Sequence, residues 1–263
     1  MSSPLPALFI GHGSPMNAIE DTPYGRAWAA LGERIPRPKA ILVVSAHWVT
    51  RGVAVTAQDR PPTIHDFGRF PQALFDVQYP APGAPDLVTR VGRLVSPTAV
   101  RGADDWGLDH GAWSVLVHMF PKADIPVAQL SLDAELSGQG HYALAHALRP
   151  LRDDGVLILA TGNIVHNLSA CDFSGADTPP RPWAVQFEAA ALTAIRDRDH
   201  AALMEPARLA GPENASLSIR GPEHYLPLLY ALAQQGEGET VEILDPGVIM
   251  GAISMASVVV GAV

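Results

Sequence analysis

The chain of 263 residues contains a single cysteine, Cys171. It therefore has neither a disulfide framework nor a cysteine-built zinc site. Positive charge is also scarce: 18 Lys and Arg stand against 27 Asp and Glu, a net charge of −9. That balance argues against nucleic acid or an anionic membrane as partner, since both are held by basic patches. No apolar run reaches the roughly 20 residues needed to span a bilayer. The most apolar tail, Val248 to Val263, is broken by Gly251, Ser254, Ser257 and Gly261 and reads as a central strand. The opening Met1-Ser2-Ser3-Pro4 has no basic segment and leads into a short apolar run, so the expected location is cytoplasmic. Phosphate loops and nucleophile elbows are missing too. Gly11-His12-Gly13-Ser14 lacks a Gly-Lys-Ser/Thr ending, and no Gly-x-Ser-x-Gly occurs.

What the chain does have is apolar content, 48% of residues, enough for a sizeable core. Short apolar runs that read as buried strands alternate with stretches of helical spacing. Strands are expected near 6–10, 40–45, 53–56, 98–100, 125–132, 156–160, 241–244 and 249–260. Helices are expected near 23–34, 86–94, 110–120, 140–151, 183–196 and from Pro222 onward. The order predicts one α/β domain over residues 1–263, a central mixed sheet flanked by helices, with no repeat or linker. The irregular stretch 59–85 carries Phe67, Phe70, Phe75 and Tyr79, an aromatic content that favours order.

Histidine is the conspicuous residue, with ten copies. Three strands deliver an imidazole at or just past their carboxyl ends: His12 in Gly11-His12-Gly13-Ser14, His47 in Ser45-Ala46-His47-Trp48, and His166 in Gly162-Asn163-Ile164-Val165-His166. In open α/β sheets that edge binds ligands. With only one cysteine, imidazole must carry any transition metal. His12 and His47, on strands expected to be neighbours, read as ligands, and His224, beside Glu223 in the first turn of a helix, as a third candidate. His166 reads as a general acid/base, an extra ligand or a member of a polar network. His110, beside Asp109, reads as an acid/base, a group supporting the ligands or a turn residue. His65 is expected to face the pocket from above; His118, His141, His146 and His200 read as structural or solvated. Ser14 and Ser45, beside His12 and His47, keep a serine hydrolase open, although its nucleophile would lack the expected turn.

Taken together, Gly11-His12-Gly13-Ser14-Pro15, Ser45-Ala46-His47-Trp48, Ile64-His65-Asp66-Phe67, Asp109-His110-Gly111, Gly162-Asn163-Ile164-Val165-His166-Asn167 and Pro222-Glu223-His224-Tyr225 resemble the DOPA-type branch of the class III extradiol aromatic ring-opening dioxygenases, in order and over nearly the whole chain. The resemblance implies a non-haem metal site and cleavage of a catechol, a DOPA-like compound first, with O₂. It implies His12, His47 and His224 as metal ligands, His166 as the acid/base and His110 as a second catalytic histidine. His65, Phe67 and Ser14 would border the substrate. The broader superfamily holds Fe(II) with two histidines and a carboxylate; here the third position is His224, with Glu223 displaced by one residue. An all-histidine set suits Zn(II) as well as Fe(II). Two other functions fit the same histidines: a zinc hydrolase, and a non-catalytic small-molecule-binding protein.

Overall fold

In a computed structural model, residues 4–174, 178–244 and 247–263 are described. Among the described residues, ten strands run β1 Ala7–Gly11, β2 Ala40–Thr50, β3 Val53–Thr56, β4 Val100–Ala103, β5 Val127–Asp133, β6 Val156–Gly162, β7 Val241–Leu244, β8 Val248–Ile249, β9 Ile253–Ser254 and β10 Ser257–Val260. Ten α-helices of the described residues interleave with them: α1 Pro23–Arg34, α2 Gln72–Phe75, α3 Asp86–Leu94, α4 His110–Met119, α5 Gly138–Ala147, α6 Pro150–Asp153, α7 Pro182–Arg196, α8 His200–Met204, α9 Gly211–Ser218 and α10 Leu226–Leu232. Eight strands form one mixed sheet in the order β4-β3-β5-β2-β6-β1-β10-β7. The four central strands, β5, β2, β6 and β1, are mutually parallel, and antiparallel pairs flank them at β3 and β10.

Strand periodicity explains the layering. On β1, Ala7 and Phe9 face one core while Leu8 and Ile10 face the other; successive side chains on a strand point to opposite faces. The first core takes Leu144 of α5, Phe187 of α7 and Leu228 of α10; the second takes Trp28 of α1 and Trp113 of α4. Both faces are covered, which is why β2 and β6 read as continuous apolar runs rather than alternating ones. Each such fully buried Leu, Ile or Phe contributes about 1.5–3 kcal/mol. The expected α/β class and the bounds of α1 agree with the structure.

Several local expectations do not. β1 and β2 are not neighbours, because β6 lies between them and pairs with both. The tail is not one central strand. Met250 and Gly251 both adopt positive φ, 48° and 79°, and turn the chain into the β8–β9 hairpin. What remains, β10, is second from the sheet edge. His224 belongs to a 3₁₀ turn, Pro222–His224, that precedes α10. The expected helix over 140–151 is two, α5 and α6, with Pro150 opening the second. The strand expected at 98–100 begins only at Val100. Helices α8 and α9 had no counterpart in the sequence reading.

Candidate metal centre

The site sits at the carboxyl ends of the central parallel strands. Because β6 separates β1 from β2, the turn that leaves β1 and the distal part of β2 straddle its end. His12 follows β1 directly, and its backbone N–H donates to the Gly162 carbonyl on β6 (3.2 Å). Gly13 then takes φ +59°, in the left-handed region that favours glycine. On β2 the pairing with β5 shifts between Val44 and Val49, so that Ser45–Trp48 face Ser131 alone. This bulge re-aims the strand and turns His47 toward the site. At the end of β6, Gly162 lets another segment cross: a Cβ there would lie 2.2 Å from the His224 carbonyl oxygen. That carbonyl accepts from the Asn163 N–H (2.8 Å), which fixes the turn carrying His224.

Five imidazoles, those of His12, His47, His110, His166 and His224, line one cavity of about 580 Å³. His12 Nε2 and His47 Nε2 are 3.1 Å apart. Two nitrogens at that separation subtend roughly 100° at an ion bound at the usual 2.0–2.1 Å, an ordinary angle between neighbouring ligands. The rings of His12, His47 and His224 form a near-equilateral triangle, with centroids 5.1, 5.6 and 5.0 Å apart. Ligand nitrogens of His12, His47 and His110 also lie within 4.8 Å of one another, and the His47 and His110 centroids are 3.9 Å apart. His12 Nδ1 is buried without a hydrogen-bond partner. The donor set therefore fits a divalent metal, with His12 and His47 common to either choice of third ligand.

The electrostatics favour the neutral imidazole, which is the form that binds metal. Burial foremost, then the neighbouring histidines, holds His12 and His47 well below the ordinary histidine range. His166 is pushed down to about 3 by burial and by His224, whose ring it stacks upon at 3.5 Å. Burial lowers His224 as well, against an opposing pull from Glu223, whose carboxylate lies 3.5 Å from its Nδ1.

Asp66 had appeared in the sequence only as part of a motif. Its Oδ1 accepts from the His110 backbone N–H (2.8 Å) and lies 3.0 Å from His110 Nδ1, while Oδ2 lies 3.5 Å from His47 Nδ1. Burial opposes its charge, but the hydrogen bond from His110 and that ring's attraction keep its carboxyl below the usual range. A carboxylate on the Nδ1 side of two rings selects the tautomer whose Nε2 lone pair faces the cavity. Asp66→Asn is expected to weaken metal binding about 10- to 100-fold with folding intact, read by competitive chelator titration; unchanged affinity would count against this role. Asp109 is a second buried carboxylate, at the start of α4. It accepts from Ser45 Oγ and Gln129 Nε2 (both 2.7 Å) and from the Ala112 N–H (3.2 Å), so it fixes the helix that begins with His110. Burial and the charge of Asp66 raise its pKa.

Ser14 and Phe67 line the cavity; His65 does not. The His65 ring packs 5.5–5.9 Å from those of Phe67, Phe75 and Trp113, and its Nε2 is 3.0 Å from the Val77 carbonyl. Its place is behind the wall, because the excursion buries its aromatic residues together. The outer wall includes Leu168, Phe173, Met250 and Ile253, none of them candidates from sequence. They follow β6 or lie on the β8–β9 segment, and an isolated apolar residue in a connecting stretch carries no signal of its own. His118, His141 and His200 make other contacts, to Asn17 O, Tyr230 Oη and Tyr142 Oη respectively.

Residues 6–261 match the family described as the catalytic LigB subunit of aromatic ring-opening dioxygenase. A protein of Escherichia coli (strain K12) named 4,5-DOPA dioxygenase extradiol is 47% identical over 261 residues, 99% of this chain and 96% of that protein. One of the same name from Beta vulgaris is 38% identical over 261 residues, covering 95% and 94% of the two chains. The crystal structure of the uncharacterised protein JW3007 from Escherichia coli K12 superimposes with a TM-score of 0.84 at 42% identity, over 98% of this chain and 100% of that one. The chain belongs to the LigB family of aromatic ring-opening dioxygenases and, within it, to the DOPA-type branch of the class III extradiol enzymes.

Proposed function

We propose that residues 1–263 form one catalytic domain that opens a catechol ring with O₂, using a metal held by His12, His47 and His224. The observation that carries this reading is the convergence of five imidazoles on one cavity. For the third ligand, the centroid spacing of His224 from His12 and His47, 5.6 and 5.0 Å, suits a shared ion. His110 has its Nδ1 beside Asp66 and its ring against that of His47, which fits a group that orients and donates to substrate. Fe(II) is the proposed working metal, with Zn(II) able to occupy the same nitrogens. When bound, Fe(II) supplies the redox route between catechol and O₂ and acidifies the catechol hydroxyls. The balance is simple: the carbon–carbon bond beside the diol breaks, both oxygen atoms of O₂ enter the single ring-opened product, and the two carbons of the broken bond become its carboxylate and carbonyl ends. A DOPA-like compound is the first substrate to assay, on the names of the relatives. The acidic chain with one cysteine fits a cytoplasmic setting. No helix among the described residues is long and apolar enough to cross a membrane.

His166 is the proposed base. It is neutral at pH 7 and so able to accept the second catechol proton, and the negative charge of a bound catecholate raises its proton affinity when needed. Phe67 borders the ring, and Ser14 lies at the edge of the same cavity. His166→Gln is expected to lower turnover by about 10²-fold or more while leaving metal content unchanged; a variant at full rate would remove His166 from the proton path. The reaction itself is tested by loading metal-free protein with Fe(II) anaerobically, then adding a catechol and air. Oxygen uptake matched by a yellow ring-opened product supports the reading. Ester or amide cleavage with Zn(II) and no oxygen uptake replaces it with a hydrolase, and tight ligand binding without either reaction replaces it with a binding protein.

A further inference from the structure

His12 is held by more than its own strand. Its N–H donates to the Gly162 carbonyl (3.2 Å), and its carbonyl accepts from the side-chain amide of Asn17 (Nδ2, 3.0 Å). Asn17 is 5% exposed and lies in a 3₁₀ turn, Pro15–Ala18. Ser14 folds that turn back by accepting twice, at Oγ from the Met16 N–H and at its carbonyl from the Asn17 N–H. A second grip comes from α4, the helix that opens with His110. His118, in its last turn, donates from Nε2 to the Asn17 carbonyl (2.7 Å). The His118 ring in turn packs on Trp28, and Gly25 lets it approach α1: a Cβ there would lie 3.0 Å from His118 Cε1. Contacts therefore run from α4 through Asn17 to the backbone of His12. Ser14, Pro15 and Met16 line the cavity and Asn17 does not, so Asn17 reaches the metal position only through His12. With both polar groups of its main chain held, His12 keeps only its side-chain torsions, and a metal ligand must be placed to within roughly 0.5 Å. An apolar side chain at position 17 would leave the buried His12 carbonyl without a donor, and a carboxylate would set acceptor against acceptor.

We infer that Asn17, held by His118, is a positioning residue for the metal ligand His12. This rests on the ligand set proposed above and adds the residues that aim one member of it. The test is competitive chelator titration with Zn(II) of Asn17→Leu, Asn17→Asp, His118→Leu and His118→Gln, beside urea midpoints of the metal-free proteins. Both Asn17 variants are expected to bind Zn(II) about 10- to 100-fold more weakly than the parent. His118→Leu is expected to lose about fivefold, the worth of one neutral hydrogen bond. His118→Gln, which keeps a donor near the place of Nε2, is expected to recover the parent affinity. A residue that only stabilised the fold would lower the metal-free midpoint and leave the affinity of the folded protein unchanged, and that result overturns the inference. A His118→Gln protein as weak as His118→Leu overturns the part given to His118. Should Asn17→Leu fail to fold, Asn17→Asp and the two His118 variants decide by the same comparison. His12→Ala separates the two levels of the proposal. Metal retained in His12→Ala ends the ligand set itself, whereas metal lost there and full affinity in the Asn17 variants ends only the positioning role.

Discussion

Replacing His47 by alanine is expected to strip the protein of its metal and to lower catechol cleavage on the order of 10³-fold or more. The magnitude follows from what a metal ion contributes to such reactions, several kcal/mol of transition-state stabilisation, at tenfold in rate per 1.36 kcal/mol. His47 is the sharpest choice because its Nε2 lies 3.1 Å from that of His12 and its ring is within 5.1 Å of the other candidates. His12→Ala is expected to behave in the same way. His224→Ala and His110→Ala then separate the two possible third ligands: loss of metal in the first and retention in the second supports the proposed set, and the opposite result exchanges their roles. Metal per chain by elemental analysis, alongside oxygen uptake, reads both effects. A His47→Ala protein that keeps a full equivalent of metal and the parent rate would end the proposal.

Acid is expected to unfold the metal-free protein steeply. His12, His47, His166 and His224 all have lowered pKa values in the fold, chiefly through burial. Below the unfolded value near 6.5, the unfolded chain binds protons that the folded one refuses, so stability rises with pH and falls as pH drops through that value. Each histidine contributes at most about 1.4 kcal/mol per pH unit between its unfolded and folded values, and the four act in the same direction. The loss is absent well above 6.5; for His166 it stops accumulating below its folded value of about 3. Against a total stability of about 5–15 kcal/mol, a shared loss of this sign is large enough to shift the unfolding transition as pH falls below 6.5. Bound metal stabilises the folded state and moves the transition to lower pH. Urea midpoints at pH 7.5, 6 and 5 measure the effect. A midpoint that does not change between pH 7.5 and 5 would mean that these rings are not buried neutral.

Much of the fold was legible in local pattern. Apolar runs such as Ile41–Val44 and Leu157–Ala160 are long enough for strands and too short for helices, and their continuity reports cover on both faces. Thr22 as cap and Pro23 at the first helical position mark where α1 begins, and its bounds came out as expected. The candidate histidines were legible for a related reason: a polar imidazole at the end of a buried strand, beside glycine, has few structural roles. Periodicity carries no information about which strands pair, so the insertion of β6 between β1 and β2 was invisible. Asp66 was equally silent, since its importance comes from His110 and His47, which are 44 and 19 residues away along the chain.

The sequence by itself determined the α/β class, the strand ends that carry His12, His47 and His166, and the acidic balance of the chain. It could do so because these follow from composition and from patterns a few residues long. Only the tertiary structure decided that the turn after β1 and the bulged part of β2 meet over the end of β6, and that Gly162 admits the His224 turn there. The same holds for Asp66, which lies beside two rings of the site. Each of these depends on contacts between residues distant in the chain, and such contacts are chosen by the packing of the whole sheet.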